Sequence, residues 1–143
     1  MLDSDNLIAV CTKKLADEPM HKKALFIRAS SYLKKEMYQE AILDCNKIIE
    51  LDQNDPGAFY VRGQALERQG KIDESILDYN RVLEIDPDHI NAAYARGACE
   101  NKRGNFAKAI EDYLMALEKD QERPGITSLR KRPKNQNLNF ILE

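Results

Sequence analysis

Residues 56–89, PGAFYVRGQALERQGKIDESILDYNRVLEIDPDH, decide the fold, because the chain repeats them. A shift of 34 positions aligns them without a gap to residues 90–123, with 11 identical positions. Residues 22–55 align in the same way and are identical to residues 56–89 at nine positions. Segments of average composition would agree at about two positions by chance. The chain therefore contains three copies of one unit.

Each copy has the pattern of two helices of about 14 residues. In the middle copy, Asp55 can cap a helix and Pro56 fits its first turn. Gly70 ends that helix, as glycine commonly does. The second helix follows with apolar residues at helical spacing: Ile72, Ile76, Tyr79 and Leu83. No segment has a convincing strand pattern, so the expected class is all-α.

The connections between helices differ in how clearly the sequence specifies them. Residues 86–88, Asp-Pro-Asp, are predicted to end one helix and to cap the next. Gly70 and Gly104 mark the turn inside two copies, whereas the first copy has Glu36 at that position. Because glycine adopts turn conformations more readily than glutamate, we expect the turn at Glu36 to be less sharply specified.

Composition excludes several classes of protein. The chain has 143 residues, 43% hydrophobic and 32% charged, with a formal net charge of −2, so no bulk field attracts nucleic acid or an anionic membrane. No apolar run approaches the ~20 residues of a membrane span, and the first residues lack the pattern of a secretory signal. The three cysteines, Cys11, Cys45 and Cys99, cannot all pair, so free thiols and a cytoplasmic location are predicted.

Small and aromatic residues recur at fixed positions of the unit. In residues 56–89 the spacing follows the pattern W-x2-L-G-x2-Y, A-x3-F, P at Phe59, Arg62, Gly63, Leu66, Ser75, Tyr79 and Pro87. The other copies keep the small-residue columns, with Gln53 and Gln121 in place of the proline. The chain thus resembles the tetratricopeptide repeat family. The resemblance implies a right-handed α-solenoid whose first helices line a concave groove that binds peptides.

This pattern divides the chain into five segments: 1–21, the second helix of a partial repeat; 22–55, 56–89 and 90–123, three full repeats; and 124–143, a basic, mostly disordered tail. The helix of the first segment is predicted over residues 4–17. It would expose the face that its missing partner helix should cover, which suggests an excerpt from a longer array. The alternative function is therefore an assembly segment that self-associates or stacks through its uncapped ends.

An arginine column is the sharpest polar feature of the repeats. Each arginine is followed 16 residues later by an aspartate on the other helix of the same repeat. The arginines could form a basic ladder for an acidic ligand, or each could pair with its aspartate and hold the two helices together. The matched columns favour structural ion pairs: Arg28 with Asp44, Arg62 with Asp78, and Arg96 with Asp112.

The sequence offers no catalytic, cofactor or metal site. The two histidines, His21 and His89, lie at junctions between repeats, and no pair of cysteines has zinc spacing. The glycines follow the repeat period and form no phosphate-binding loop. Cys11 and Cys45 share a column with Tyr79, which indicates helix packing rather than redox or metal chemistry. We therefore predict a protein without catalytic activity or cofactor.

The resemblance assigns the partner-binding surface to the inner side of the first helices. Phe26, Tyr60 and Tyr94 form an aromatic ladder there, and aromatic side chains bury large areas at small entropic cost. The alternative is that these are ordinary consensus residues, half-buried between helices. The full predicted surface comprises Lys23, Phe26, Ile27, Ser30, Lys34, Tyr60, Val61, Gln64, Arg68, Asn91, Tyr94, Ala98, Asn101 and Lys102.

Three roles are expected within that surface, for a protein or peptide partner whose identity the residues leave open. The aromatic residues anchor the partner. The amides of Gln64, Asn91 and Asn101 read its backbone, and the cations of the rim set its charge: Lys23, Lys34, Arg68 and Lys102.

Two more specific partners are not expected. Co-chaperones of this family hold a carboxylate with a lysine and an asparagine on the first helix, an asparagine on the second, and a lysine and an arginine on the third. None of the matching positions carries the residue required there: Phe26 and Ser30, Val61, then Asn91 and Ala95. The basic run at residues 130–134 fits a nuclear import signal or a phosphate-contacting patch. It lacks the interleaved aromatics that stack on bases, so a solvated tail is favoured over nucleic-acid binding.

Overall fold

The computed structural model describes residues 2–122, and the predictions for the tail lie outside the described residues. Those residues form seven α-helices and no strand, which confirms the all-α prediction. None of the seven is long and apolar enough to cross a membrane. The helices are α1 Ser4–Asp17, α2 Lys22–Lys34, α3 Tyr38–Leu51, α4 Pro56–Arg68, α5 Ile72–Ile85, α6 Ile90–Lys102 and α7 Phe106–Glu122.

The helices form a solenoid with distinct inner and outer sides. Each helix packs against the next one along the chain. In addition α2 contacts α4 and α4 contacts α6, whereas α3, α5 and α7 make no contact with one another in the described part of the chain. The first helices of the repeats therefore lie closer together and line the inner, concave side.

Helix α6 begins differently from the expectation for residues 86–88. The Asp86 carboxylate accepts from the backbone N–H of Asp88 at 3.2 Å, and so serves the turn before the helix. The cap is His89, whose Nδ1 accepts from the backbone N–H of Ala92 at 3.0 Å. The predicted cap within residues 86–88 is therefore corrected to His89, because α6 begins at Ile90 and the residue directly before it occupies the capping position.

The same capping position is used at the start of every full repeat. His21 Nδ1 accepts from the backbone N–H of Ala24 at 3.1 Å, and Asp55 Oδ1 accepts from that of Ala58 at 3.1 Å. An imidazole nitrogen thus accepts the hydrogen bond that the aspartate oxygen accepts in the second repeat. This explains why His21 lies at a junction between repeats.

The turn at Glu36 has the same geometry as the two glycine turns. Glu36 has a φ of 62°, and Gly70 and Gly104 each have a φ of 81°. In the Glu36 turn the backbone N–H of Met37 donates to the carbonyl of Tyr32 at 2.9 Å, and the corresponding bond is 2.9 Å in the other two turns. The expectation of a less sharply specified turn is therefore corrected, because the packing of the two helices imposes the left-handed conformation on glutamate.

Glu36→Gly is expected to raise the free energy of unfolding by about 0.5–1 kcal/mol. A left-handed conformation costs an ordinary residue about 1–2 kcal/mol, and the greater freedom of glycine in the unfolded chain offsets part of the gain. Urea unfolding followed by circular dichroism measures the change. Gly70→Ala is the matched control and should destabilise the chain, although an added Cβ there meets no atom within 4 Å. A stability unchanged by Glu36→Gly would contradict the argument.

Glycine also sets the distance between the two helices of a repeat. A Cβ added at Gly63 would lie 2.7 Å from Cε1 of Tyr79, which is closer than real Cβ contacts. The same pair recurs as Gly97 and Tyr113, at 2.9 Å. The buried Tyr79 ring therefore occupies the space that a side chain at Gly63 would need.

Candidate functional site

The arginine and aspartate columns meet between the two helices of each repeat. Arg62 donates from Nε and Nη2 to the two carboxylate oxygens of Asp78, at 2.9 and 2.8 Å. This two-bond geometry is a strong form of ion pair. The other repeats have the same bonds, at 2.8 and 2.7 Å for Arg28 with Asp44 and at 3.0 and 2.7 Å for Arg96 with Asp112.

Each arginine also reaches the preceding repeat, which the sequence analysis did not foresee. Arg62 Nη1 donates to Asn46 Oδ1 at 2.9 Å, and Arg96 Nη1 donates to Asn80 Oδ1 at 3.0 Å. Arg28 Nη1 donates to the Thr12 hydroxyl at 3.3 Å. The sequence held one signal for this contact, because residues 22–55 and 56–89 have an asparagine at the same position of the repeat, Asn46 and Asn80. Because three nitrogens of each arginine are engaged inside the protein, this column is not displayed to a ligand.

A groove with a volume of about 360 Å³ lies between α4 and α6 on the inner side. Nine residues line it, and six of them belong to the predicted partner-binding surface: Tyr60, Gln64, Arg68, Asn91, Tyr94 and Ala98. The other three are Glu67, Tyr79 and Ala95. We call this feature the α4–α6 groove.

Two tyrosines of the predicted ladder line the α4–α6 groove. The Tyr60 ring packs against Tyr79 and His89, with centroid separations of 5.9 and 4.9 Å. Burial raises the pKa of the Tyr60 phenol above its ordinary value. Tyr94 packs against Tyr113 at 6.0 Å and keeps 38% of its surface exposed. Tyr60 is thus held in place, and Tyr94 offers the larger free face.

Glu67 is fixed at the base of the α4–α6 groove. The Tyr79 hydroxyl donates to Glu67 Oε1 at 2.8 Å, and Lys102 Nζ donates to Oε2 at 3.1 Å. Burial, and then the neighbouring Glu67 charge, raise the pKa of Tyr79. Sequence reasoning assigned Tyr79 to helix packing alone, because nothing in its spacing shows that its hydroxyl reaches the inner side. Lys102, which was predicted for the rim, forms an ion pair with Glu67.

Three polar side chains of the groove have no partner among residues 2–122. Gln64 and Asn91 make no hydrogen bond there, and Arg68 makes no ion pair. Gln64 is half-buried, while Arg68 and Asn91 are exposed. Two amides and one guanidinium, flanked by two tyrosines, therefore face the groove with unused hydrogen-bonding capacity.

A second hollow, of about 440 Å³, lies between α2 and the start of α4 and includes the predicted residues Lys23 and Phe26. The Phe26 ring is 37% exposed. A Cβ at Gly57 would lie 2.9 Å from that ring, so the glycine makes room for it. Neighbouring Lys22 is paired with Asp55 at 2.9 Å, whereas Lys23 has no ion pair in the described residues.

The remaining predicted residues lie apart from the two hollows. Val61 is a correction to the predicted surface, because its side chain is only 4% exposed and packs with Ala29 and Cys45 in the core. Ile27 is half-buried and packs against the core between α1 and α2. Three others lie on the first helices without lining either hollow: Ser30, Lys34 and Asn101.

The cysteines are buried, and their surroundings are those of packing residues. Burial raises the pKa of the Cys45 thiol to about 12 and that of Cys99 to about 11. It raises the pKa of Cys11 as well. A thiol with a raised pKa is a weak nucleophile and a poor metal ligand at neutral pH. Within residues 2–122, no group of histidine, cysteine and carboxylate side chains could hold a metal ion.

Comparison with known proteins identifies the repeat. A family model described as tetratricopeptide repeat matches residues 60–124, and one described as anaphase-promoting complex, cyclosome, subunit 3 matches residues 2–79. No curated protein matches the chain.

Among solved structures, the chain is similar to the protein MamA ("Crystal structure of MamA"). The two are 24% identical, with a TM-score of 0.78 over 83% of this chain and 70% of that one. It is also similar to "MamA 41-end from Desulfovibrio magneticus RS-1", with 20% identity and a TM-score of 0.76 over 82% of this chain and 66% of that one. At these identities the likeness concerns the fold alone. Together with the two family models, the fold shows that this chain belongs to the tetratricopeptide repeat family.

Proposed function

We propose that the chain is a non-catalytic binding module that holds an extended peptide segment of a protein partner in the α4–α6 groove. The observation that carries the proposal is the set of polar side chains without a partner in residues 2–122, Gln64, Arg68 and Asn91, which line the groove together with half-buried Tyr60 and exposed Tyr94. Polar groups that converge on a partly apolar cleft are typical of recognition sites.

The groove residues divide the work of binding a peptide. Each amide, of Gln64 and of Asn91, has both a donor and an acceptor and can pair with a peptide backbone. Tyr60 and Tyr94 supply apolar area at small entropic cost. Because Glu67 is already held by Tyr79 and Lys102, the floor of the groove needs little ordering when a partner binds.

Charge favours an acidic segment as the partner. The Glu67 carboxylate is neutralised by Lys102 at 3.1 Å. Arg68 has no acidic partner within residues 2–122, and neither has Lys23 at the second hollow. A carboxylate of the partner would form a charge-assisted hydrogen bond with Arg68.

The groove carries binding groups rather than a reacting set. Its lining contains no histidine, cysteine or serine among the described residues. Its single carboxylate, on Glu67, already has both oxygens engaged. A general base needs a free acceptor within reach of the proton it removes, so we assign this site binding and no reaction.

End-to-end stacking, the alternative function, has weaker support. Lys14 of α1 occupies the position that Ile48 and Val82 fill in α3 and α5, where both are fully buried. The Lys14 side chain is half exposed and paired with Glu18. Stacking another copy on α1 would bury this charge, and burying a charge is costly. The groove is therefore the better-supported site.

The proposal predicts that a peptide selected on this chain loses most of its affinity when the groove is changed. Peptides would be selected from a random library on phage and their affinities measured by fluorescence anisotropy. The groove variant combines Gln64→Ala, Arg68→Ala and Asn91→Ala, whose side chains make no hydrogen bond or ion pair with another described residue. We expect binding at least about tenfold weaker, or about 1.4 kcal/mol.

A variant of the outer helices serves as the matched control. Leu43→Ala, Glu50→Ala and Leu77→Ala change three exposed residues of α3 and α5. This control should bind the selected peptides as tightly as the parent, and circular dichroism should show equal helix content in all three proteins. Equal loss in both variants, or failure to select any peptide, would overturn the proposal.

A further inference from the structure

One face of α7 carries a stripe of apolar residues that no described residue covers. Phe106, Ile110 and Leu117 are 62, 43 and 38% exposed, and Tyr113 lies between them half-buried. These four residues recur at intervals of four, three and four positions, so they share one side of the helix. We call them the α7 stripe.

The equivalent stripes of the other repeats are covered by the next first helix. Ile76 and Tyr79 of α5 are 7 and 0% exposed, because α6 packs over them. Leu114 of α7 stands where α5 has Asn80, the acceptor for the arginine of the following helix. The α7 stripe thus has the same residue types as a covered face, and Leu114 beside it adds an apolar residue where α5 has a polar one. An end designed to face water would carry polar residues there.

We propose that residues 124–132 of the same chain cover the α7 stripe. They begin two positions after Glu122 in the sequence, where α7 ends, so this short tether gives them a high effective concentration at the stripe. Their sequence also matches the start of a repeat. Residues 124–130, PGITSLR, align with residues 56–62, PGAFYVR, at a shift of two periods of 34 positions. Proline, glycine and arginine are identical in the two segments.

The segment offers apolar residues at the positions that the fold uses for this contact. In the second repeat, Ala58 and Val61 face the core against α3. The residues at those positions in the segment are Ile126 and Leu129. Ile126 and Leu129 are larger than the alanine and valine to which they correspond. They suit the α7 face because Leu114 there makes it more apolar than the α5 face, which has Asn80 at that position.

Charge complementarity points to the same occupant. Glu111 and Glu118 directly follow two residues of the stripe, about 100° around the helix, and both are exposed. Glu111 lies 3.6 Å from Lys108 Nζ, whereas Glu118 makes no ion pair among the described residues. Residues 130–134, RKRPK, supply the opposite charge. A second copy packed stripe to stripe would instead bring the like-charged Glu118 side chains of both copies to one interface, which is unfavourable. The basic segment of the same chain is therefore the better match.

Paramagnetic relaxation in the full chain tests the contact directly. A nitroxide attached at Ser128→Cys can be placed selectively, because the three native thiols are buried. We expect it to broaden the NMR signals of Ile110 and Leu117 and to leave those of α1 unchanged. The same label at Lys13→Cys, on the exposed side of α1, is the control and should leave the stripe unaffected.

Mixing separates this contact from an encounter between two chains. Spin-labelled chain without isotope is added to isotope-labelled chain without spin label. Any broadening in this mixture is then caused by a spin label on a different molecule. We expect none. Broadening of the stripe only in this mixture would assign the face to a second copy and overturn the proposal, as would the absence of broadening in both samples.

A variant of the segment supplies an independent measurement. Ile126→Asp with Leu129→Asp, in the full chain, should raise amide hydrogen exchange along α7 about tenfold by removing its cover. Exchange in α4, which makes no contact with α7, should be unchanged. Unchanged exchange along α7 would overturn the proposal, even if a label at residue 128 approached the stripe.

Discussion

Asp78→Ala is expected to lower the free energy of unfolding by about 3 kcal/mol. The Asp78 side chain is 7% exposed and accepts both bonds of the Arg62 fork. Its removal leaves a largely buried guanidinium that still contacts Asn46 but has no counter-charge. Because Arg62 joins α4 to both α3 and α5, the loss should affect two helix contacts. Urea unfolding followed by circular dichroism measures it.

A double variant distinguishes the value of the pair from the cost of leaving one charge alone. Arg62→Met with Asp78→Leu removes both charges and should unfold close to the parent, since apolar residues of similar size replace a buried ion pair at little cost. Glu50→Ala, at an exposed carboxylate of α3, is the surface control. If Asp78→Ala cost no more than Glu50→Ala, the arginine column would have no part in stability.

Gly63→Ala is expected to destabilise the chain by about 2 kcal/mol. An alanine inside a helix would ordinarily gain about 1 kcal/mol over glycine. Here its Cβ would lie 2.7 Å from the Tyr79 ring, so α4 and α5 must move apart. The movement would also shift the Tyr79 hydroxyl from Glu67 and disturb the α4–α6 groove. Thermal unfolding gives the stability, and peptide affinity gives the effect on the groove.

The first repeat supplies the compensating substitution. It has Ala29 and Cys45 where the second has Gly63 and Tyr79, so a larger residue on the first helix accompanies a smaller one on the second. On a Tyr79→Cys background, Gly63→Ala should therefore cost nothing or stabilise. A double-mutant cycle should give a coupling of about 1–3 kcal/mol. Additive losses would show that the contact between the glycine and the ring is not the cause.

Much of the fold could be predicted because the repeat unit occurs three times in the sequence. A period of 34 residues, turn glycines and capping positions gave the order and extent of the helices. The Glu36 turn shows the limit of residue-by-residue reasoning. Glutamate predicts a loose turn there, yet the packing of α2 on α3 imposes the same left-handed conformation as at Gly70.

The candidate groove was predictable in its location and less so in its details. Helical spacing identifies which residues share a face, but it does not give the rotation of that face against its neighbours. Val61 follows Tyr60 directly, and about 100° of helix turn separates the core from the groove. The hydroxyl of Tyr79 reaches the inner side only because Gly63 leaves space for the ring.

The sequence by itself determined the repeat unit, the all-α class and the matched arginine and aspartate columns. These features need only periodicity and charge, which a linear chain displays. The tertiary structure decided which polar groups remain available, because that depends on partners distant in sequence. Lys102 is engaged by Glu67 across 35 positions, whereas Arg68, next to that glutamate in the chain, meets no acidic partner among the described residues.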